Sequence, residues 1–371
     1  MRIGVPTEIK DQEYRVGLTP AGVRELVSHG HEVMIQSGAG TALGLSDHSY
    51  SVAGAKLVPD AQTVYGNAEM IVKVKEPQPS ERALLKPGQI LYAYLHLAAD
   101  REQTAELVKS GAVCIAYETV TGPDGGLPLL APMSEVAGRM SVQVAAAYLE
   151  KPRGGMGLLL GGVPGVAPAH VVVIGAGMVG SNAVQIAVGM GARVTVLDRN
   201  VDRLRDLAMV HGNRVVAIYS SADSLERAVI TADAVIGAVL VPGAEAPRLV
   251  TRELVARMKH GSVVVDVAID QGGCFETSRP TSHSHPTYVV DGVLHYCVTN
   301  MPAAVARTST FALNNATVGY GMAIADKGWR RALVEDVGLR AGLNVCRGNV
   351  TCAAVAAAHG YAHVSAEQLL A

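Results

Sequence analysis

The chain is poor in aromatic rings and in charge: two phenylalanines and one tryptophan in 371 residues, with charged residues at 17%. Neither sign of charge dominates, and a formal net charge of −2 excludes a global attraction for nucleic acid or an anionic membrane. Cysteine is scarce as well. Residues 114, 274, 297, 346 and 352 are an odd set with no C-x-x-C pair, which argues against a disulfide framework and for reduced thiols in the cytosol. The opening MRIGVPTEIK lacks a signal-peptide apolar region and transit-peptide character, so a cytoplasmic location is expected. Internal repeats, low-complexity segments and long charge runs are absent. One uncharged stretch, 171–192, is long enough to span a bilayer. Its repeated glycines with Ser181, Asn182 and Gln185 suit a soluble strand–turn–helix better, and no membrane association is expected.

What the chain has in abundance is glycine, 40 residues, within a composition that is 49% hydrophobic. That describes α/β layers with buried parallel strands and many tight turns, and the length suggests two domains. The stretch that organises the rest is HVVVIGAGMVGSNAVQIAVGMGARVTVLDRN, residues 170–200. A β-branched run at 171–174 reads as a buried parallel strand. Gly175, Gly177 and Gly180 follow in G-x-G-x-x-G spacing and open a helical pattern, and a second strand stops at Asp198. Gly175 permits the tight turn, Gly177 lets a pyrophosphate approach the backbone, and Gly180 lets the helix pack closely on the sheet. The helix N-terminus offers unpaired N–H groups to the phosphates. Asp198 can accept hydrogen bonds from an adenosine ribose and would repel a 2′-phosphate, which argues for NAD over NADP; Arg199 and Arg203 nearby oppose that exclusion.

Before this motif, strands are expected over 2–5, 32–36, 56–58, 70–75, 89–95 and 112–116, alternating with helices, as a doubly wound unit. A helix over 133–150 should bridge to the dinucleotide domain, whose further strands fall at 214–219, 234–240, 262–269 and 288–298. From Pro302 the pattern turns helical, and this tail is expected to return to the first domain. The reading is therefore an α/β protein of two doubly wound, Rossmann-like parallel sheets with a cleft between them. The substrate domain would comprise 1–130 plus 305–371, and the NAD-binding domain 131–304.

Ligands of open parallel sheets sit off the carboxyl ends of the strands. In the first unit those ends carry the Arg15 loop, Lys75, His96 and Glu118; in the second, Asp198, Ser220, Leu240, Asp270 and Asn300. Two cations, a histidine and a carboxylate near a nicotinamide ring would suit hydride transfer involving a small carboxylate substrate. Each residue also has a plainer reading. Lys75 could be a solvated lysine, His96 a hydrogen-bonded core histidine and Asp270 a loop cap, while Asp266 lies mid-strand. His283, His285, His295 and Cys297 offer metal-ligand types, yet their spacing fits no closed site, and no metal is expected. Glu135 and Arg139, one turn apart, suggest a solvated ion pair.

The ordered set IGVPTEIKDQEYRVGLTP, IVKVKEP, YLHLA, LLAPMSEVAGRMS, GGVPGV, VVVIGAGMVG, GAVLVPGA, VDVAIDQGGCFETSRPT and HYCVTNMPAAVARTST resembles the alanine dehydrogenase family, which shares its fold with the N-terminal region of nicotinamide nucleotide transhydrogenase. The resemblance runs over residues 1 to about 320. It implies NAD-dependent oxidative deamination of L-alanine to pyruvate and ammonium in a homo-oligomer, usually a hexamer. By position, Arg15 and Lys75 match substrate-binding residues, and His96 and Asp270 the catalytic pair. Ser134, Gly175, Gly177, Met178, Val179, Gly180, Asp198, Arg203, Ser220, Val239, Leu240, Val267, Asp270, Arg279, Val298, Asn300 and Met301 match cofactor contacts. The family often has lysine at position 203. Two other readings stay open: another small amino-acid dehydrogenase of the same plan, and a non-catalytic, transhydrogenase-like NAD(H)-binding subunit.

Overall fold

The structure is a computed structural model, and it describes residues 1–239 and 246–370. The chain divides into two compact units: Met1–Met133 with Val305–Ala371, and Ser134–Ala304. In the first unit, β1 (Arg2–Val5), β2 (Glu32–Gln36), β3 (Lys56–Val58), β4 (Met70–Val72), β5 (Ile90–Ala93) and β6 (Val113–Ala116) lie parallel. In the second, β7 (His170–Ile174), β8 (Arg193–Asp198), β9 (Val215–Tyr219), β10 (Ala234–Gly237) and β11 (Val263–Asp266) are parallel, and β12 (Thr287–Val290) and β13 (Val293–Tyr296) form a hairpin. The chain then re-enters the first sheet as β14 (Leu343–Cys346) and β15 (Asn349–Val350), antiparallel to β6 and to each other.

Among the described residues the first sheet runs β15-β14-β6-β5-β4-β1-β2-β3, and the second β12-β13-β11-β10-β7-β8-β9. In the second order the chain reverses direction across the sheet between β10 and β7, which is where a doubly wound sheet opens a crevice at its carboxyl edge. Strands β5, β6, β7, β10 and β11 are buried along their whole length, as strands covered by helices on both faces must be. The core of the first unit takes in Leu91 and Cys114 from the parallel strands with Val345 and Val355 from the returning tail. Helix starts follow local chemistry. The side chains of Thr19, Asp60 and Asp100 each accept an amide from the first turn of the helix they precede.

Several elements differ from the sequence expectation. Residues 288–298 are a hairpin rather than one strand, because Asp291 and Gly292 both adopt positive φ, 50° and 80°, the pairing a two-residue hairpin turn requires. The 262–269 strand stops at Asp266, whose carboxylate accepts the Ala268 N–H and turns Val267–Gln271 into a 3₁₀ helix. The 70–75 strand stops at Val72. The uncharged stretch 171–192 divides between β7 and the Met178–Gly189 helix, and among the described residues no helix is long and apolar enough to cross a membrane. Arg139 donates to Asn182 (2.9 Å) and Gln185 (3.0 Å) on that helix rather than pairing with Glu135, because Gly138 brings the two backbones together: a Cβ there would stand 2.2 Å from the Val179 carbonyl oxygen.

Candidate functional site

In the Ser134–Ala304 unit the glycine turn joins β7 to the Met178–Gly189 helix. Gly175 has φ +103°, and a Cβ there would lie 2.7 Å from the Ala238 carbonyl oxygen. A Cβ at Gly180 would lie 1.7 Å from the Gly175 oxygen, so only glycine lets the helix sit this close to the turn. Gly177 is different. Nothing stands near its missing Cβ except the Arg203 guanidinium at 3.5 Å, so the space in front of the helix N-terminus is open and lined by a cation. Asp198, at the end of β8, accepts the N–H of Ala176 (2.6 Å) and of Asn200 (2.7 Å), tying the strand end to the turn.

Several of the other expected cofactor contacts follow the carboxyl ends of strands in the same sheet. Ser220 follows β9 with its N–H on the Asp198 carbonyl (2.9 Å). Val239 follows β10, and Leu240 lies outside the described residues. Val267 and Asp270 lie on the 3₁₀ turn after β11, with Asp270 exposed. Val298 and Met301 are buried beyond β13, and Asn300 between them has φ +57°, a backbone conformation uncommon for a side-chain-bearing residue. Ser134 is half-buried in the Ala131–Tyr148 helix. Arg279 lies over the Tyr288 ring at 4.2 Å. Asp266 is the buried aspartate here. It accepts from the amides of Ala268 and Cys274 and from Ser278, and burial pushes its carboxyl up despite those bonds. Two of the histidines that suggested metal ligands make other bonds: His283 meets the Asn300 carbonyl, and buried His295 bonds Thr277 and the Val293 carbonyl.

In the other unit, four polar groups follow the carboxyl ends of four adjacent strands. In the order β6-β5-β4-β1 these are Glu118, His96, Lys75 and the loop carrying Arg15. The sheet thus brings to one edge residues as distant in sequence as Arg15 and Glu118. Arg15 is buried, with its Nε and Nη2 on Glu13 (2.6 and 2.5 Å) and its Nη1 toward the Met133 sulfur (3.1 Å). A charge this deep needs such a bidentate partner, and it holds the guanidinium plane fixed. His96 is exposed and stacks on Tyr94 at 5.9 Å and 10°. Its backbone is left-handed, φ 50° and ψ 38°, and the Glu118 carboxylate steadies that turn by accepting the N–H of His96 (2.6 Å) and of Leu95 (3.2 Å). Glu118 thus supports the histidine, a role its position at a strand end did not disclose.

Sequence reasoning also missed Glu8. Its carboxylate is buried and accepts the N–H of Val74 (2.6 Å) and of Lys75 (3.4 Å). Burial pushes its carboxyl up, while the Lys73 ammonium at 3.0 Å pulls it down. The only sequence signal was its place in the charged loop that follows β1.

Residues 4–137 match the family described as Alanine dehydrogenase/PNT, N-terminal domain, and residues 141–353 match its C-terminal domain. The alanine dehydrogenase of Halomonas elongata is 59% identical over 370 residues, which is all of both chains. A solved L-alanine dehydrogenase superimposes with a TM-score of 0.95 at 52% identity, over 97% of this chain and 99% of that one. A transhydrogenase from Sinorhizobium meliloti shares the fold, with a TM-score of 0.81 at 24% identity over 95% of this chain and 100% of that one. With both halves matched and full-length identity above one half, the chain belongs to the alanine dehydrogenase/PNT family.

Proposed function

We propose that this chain is an NAD-dependent dehydrogenase that interconverts L-alanine, NAD⁺ and water with pyruvate, ammonium, NADH and a proton. The observation that carries the reading is the set of strand ends in the Met1–Met133 unit: Arg15, Lys75 and His96 at one sheet edge, in a chain 59% identical throughout to an alanine dehydrogenase. The glycine turn fits a dinucleotide. Gly177 leaves open the ground a pyrophosphate needs, the helix N-terminus and Arg203 supply positive charge, and Asp198 supplies a ribose acceptor. When bound there, nicotinamide supplies a hydride acceptor for the substrate Cα.

The side chains do the rest. Arg15 and Lys75 hold the substrate carboxylate, and Lys75 stabilises negative charge on the oxygen that becomes the ketone. Oxidised Cα is an iminium that water attacks; the resulting carbinolamine must lose ammonia. That sequence needs a group to accept a proton from water and return one to the departing nitrogen. His96, exposed on a rigid turn, suits this exchange, and Asp270, exposed on the turn after β11, is the second acid–base group of this reading. Ser134, Ser220, Val239, Leu240, Val267, Arg279, Val298, Asn300 and Met301 complete the cofactor surface in this reading. By family, the working form is a homohexamer in the cytoplasm.

The deciding experiment follows NADH absorbance with pyruvate and ammonium supplied together and with each omitted in turn. Oxidation of NADH only in the complete mixture is the expected result. Binding of NADH without turnover in any mixture would favour a non-catalytic subunit, and a stronger rate with a larger oxoacid would move the substrate assignment.

A further inference from the structure

The buried charges around β4 have no part in the chemistry above, yet they lie directly behind Lys75. Strand β1 pairs with β4 only as far as Gly4 and Ile71, and β1 ends at Val5. On the other flank the ladder continues, with Lys73 N–H on the Tyr92 carbonyl (3.1 Å) and Tyr94 N–H on the Val74 carbonyl (3.1 Å). The Val74 amide therefore faces a flank that strand β1 has left, and buried amides need acceptors. Glu8 fills the gap. Its Oε1 takes the amides of Val74 and Lys75, and its Oε2 takes the Lys73 ammonium at 3.0 Å. Lys73 is itself fully buried and reaches Glu81 at 2.8 Å, whose other oxygen caps the turn after Lys75 by accepting the Gln78 N–H (2.8 Å). One carboxylate thus stands in for a strand, and an ion-pair chain ties both sides of the Lys75 segment together.

We propose that Glu8, anchored by Lys73 and Glu81, is a positioning residue for the substrate reaction: it fixes the backbone from which Lys75 reaches the substrate carboxylate. The inference rests on the reading of Lys75 given above. A purely architectural Glu8 would predict something else, namely loss of stability with no special link to Lys75. A double-mutant cycle separates the two.

The measurement is pyruvate binding to the NADH-loaded protein without ammonium, by calorimetric titration, in wild type, Glu8→Ala, Lys75→Met and the double variant. NADH affinity and thermal melts are followed alongside. Glu8→Ala should weaken pyruvate binding about 10- to 100-fold, the range for a lost hydrogen bond to a charged group. In the Lys75→Met background the same change should cost less than about twofold, because the residue it positions is gone. NADH affinity should hold in both. Equal losses in the two backgrounds, or no loss in either, overturn the proposal. If Glu8→Ala does not fold, Glu8→Gln takes its place. It keeps an acceptor for the amides and loses the ion pair, so a loss confined to the Lys75 background is expected, and an unchanged pyruvate affinity overturns the role. Loss of pyruvate binding in Lys75→Met tests the parent reading independently. Should that variant bind pyruvate like wild type, the assignment of Lys75 fails whatever Glu8 does.

Discussion

The two strand-end clusters are built from opposite materials. The turn after β7 works by subtraction: side chains are missing at Gly175, Gly177 and Gly180, and a helix N-terminus follows at once. The strand ends of the other unit work by addition. Arg15, Lys75 and His96 are each charged or titratable, and each is held by a carboxylate: Arg15 by Glu13 of its own loop, Lys75 and His96 at their backbone amides by the sequence-distant Glu8 and Glu118. A cradle made of absent atoms tolerates no insertion. A set of braced charges tolerates some repositioning and fails in proportion to the bracing lost.

The contrast is sharpest if each side is broken separately. His96→Ala should lower kcat roughly 10²–10⁴-fold, the usual contribution of a general acid–base group, with NADH binding unchanged. A variant that binds NADH and keeps most of its turnover would remove His96 from the chemistry. Gly180→Ala should fail as a whole, because its methyl would meet the Gly175 oxygen at 1.7 Å. Relieving that overlap moves the helix off the turn at a cost of at least about 1–3 kcal/mol, read as weaker NADH binding and a lower melting temperature. Glu118→Ala should cost about 10- to 100-fold in kcat with NADH affinity held, and Glu118→Gln should recover most of it by keeping an acceptor for the two amides. If the Ala and Gln variants behave alike, the brace is not what matters. Asp198→Ser should raise NADPH use relative to NADH by about tenfold, as one charged hydrogen-bond partner is lost and a repulsion removed. An unchanged ratio would take cofactor choice away from Asp198.

The smallest effect concerns acid. Burial lowers His170, His211 and His295 below the ordinary value of 6.5, and all three lie in the Ser134–Ala304 unit. A base depressed in the folded state contributes stability that is present above its unfolded value and is lost as pH falls through the folded one. Thermal melts should therefore shift downward as pH drops below 6.5, and His295→Gln should flatten that slope. A slope the variant leaves untouched would point to other groups.

The same contrast governs what could be read in advance. The glycine turn, its flanking strands and Asp198 sit within thirty residues, so local spacing carries the whole pattern. The Asp291-Gly292 pair is a local turn signal, but the apolar run on either side of it makes 288–298 read as one strand. Glu8 and Glu118 are another matter. Each looks like a surface carboxylate in its own neighbourhood, and only sheet order shows which amides it must satisfy. The short β14 was equally hidden, since its pairing partner β6 lies more than two hundred positions earlier. Roles of Arg15, Lys75, His96 and Asp270 came from the ordered resemblance; residue chemistry alone left each with a plainer alternative.

Strand β14 has a consequence for how the molecule comes into being. It covers the free flank of β6, and it is made only after every residue of the Ser134–Ala304 unit has been synthesised. During translation the nucleotide half is complete first, while the earlier half waits with an apolar hydrogen-bonding flank bare until its last partner emerges. A ribosome stalled before Leu343 would hold a chain able to finish one half and not the other.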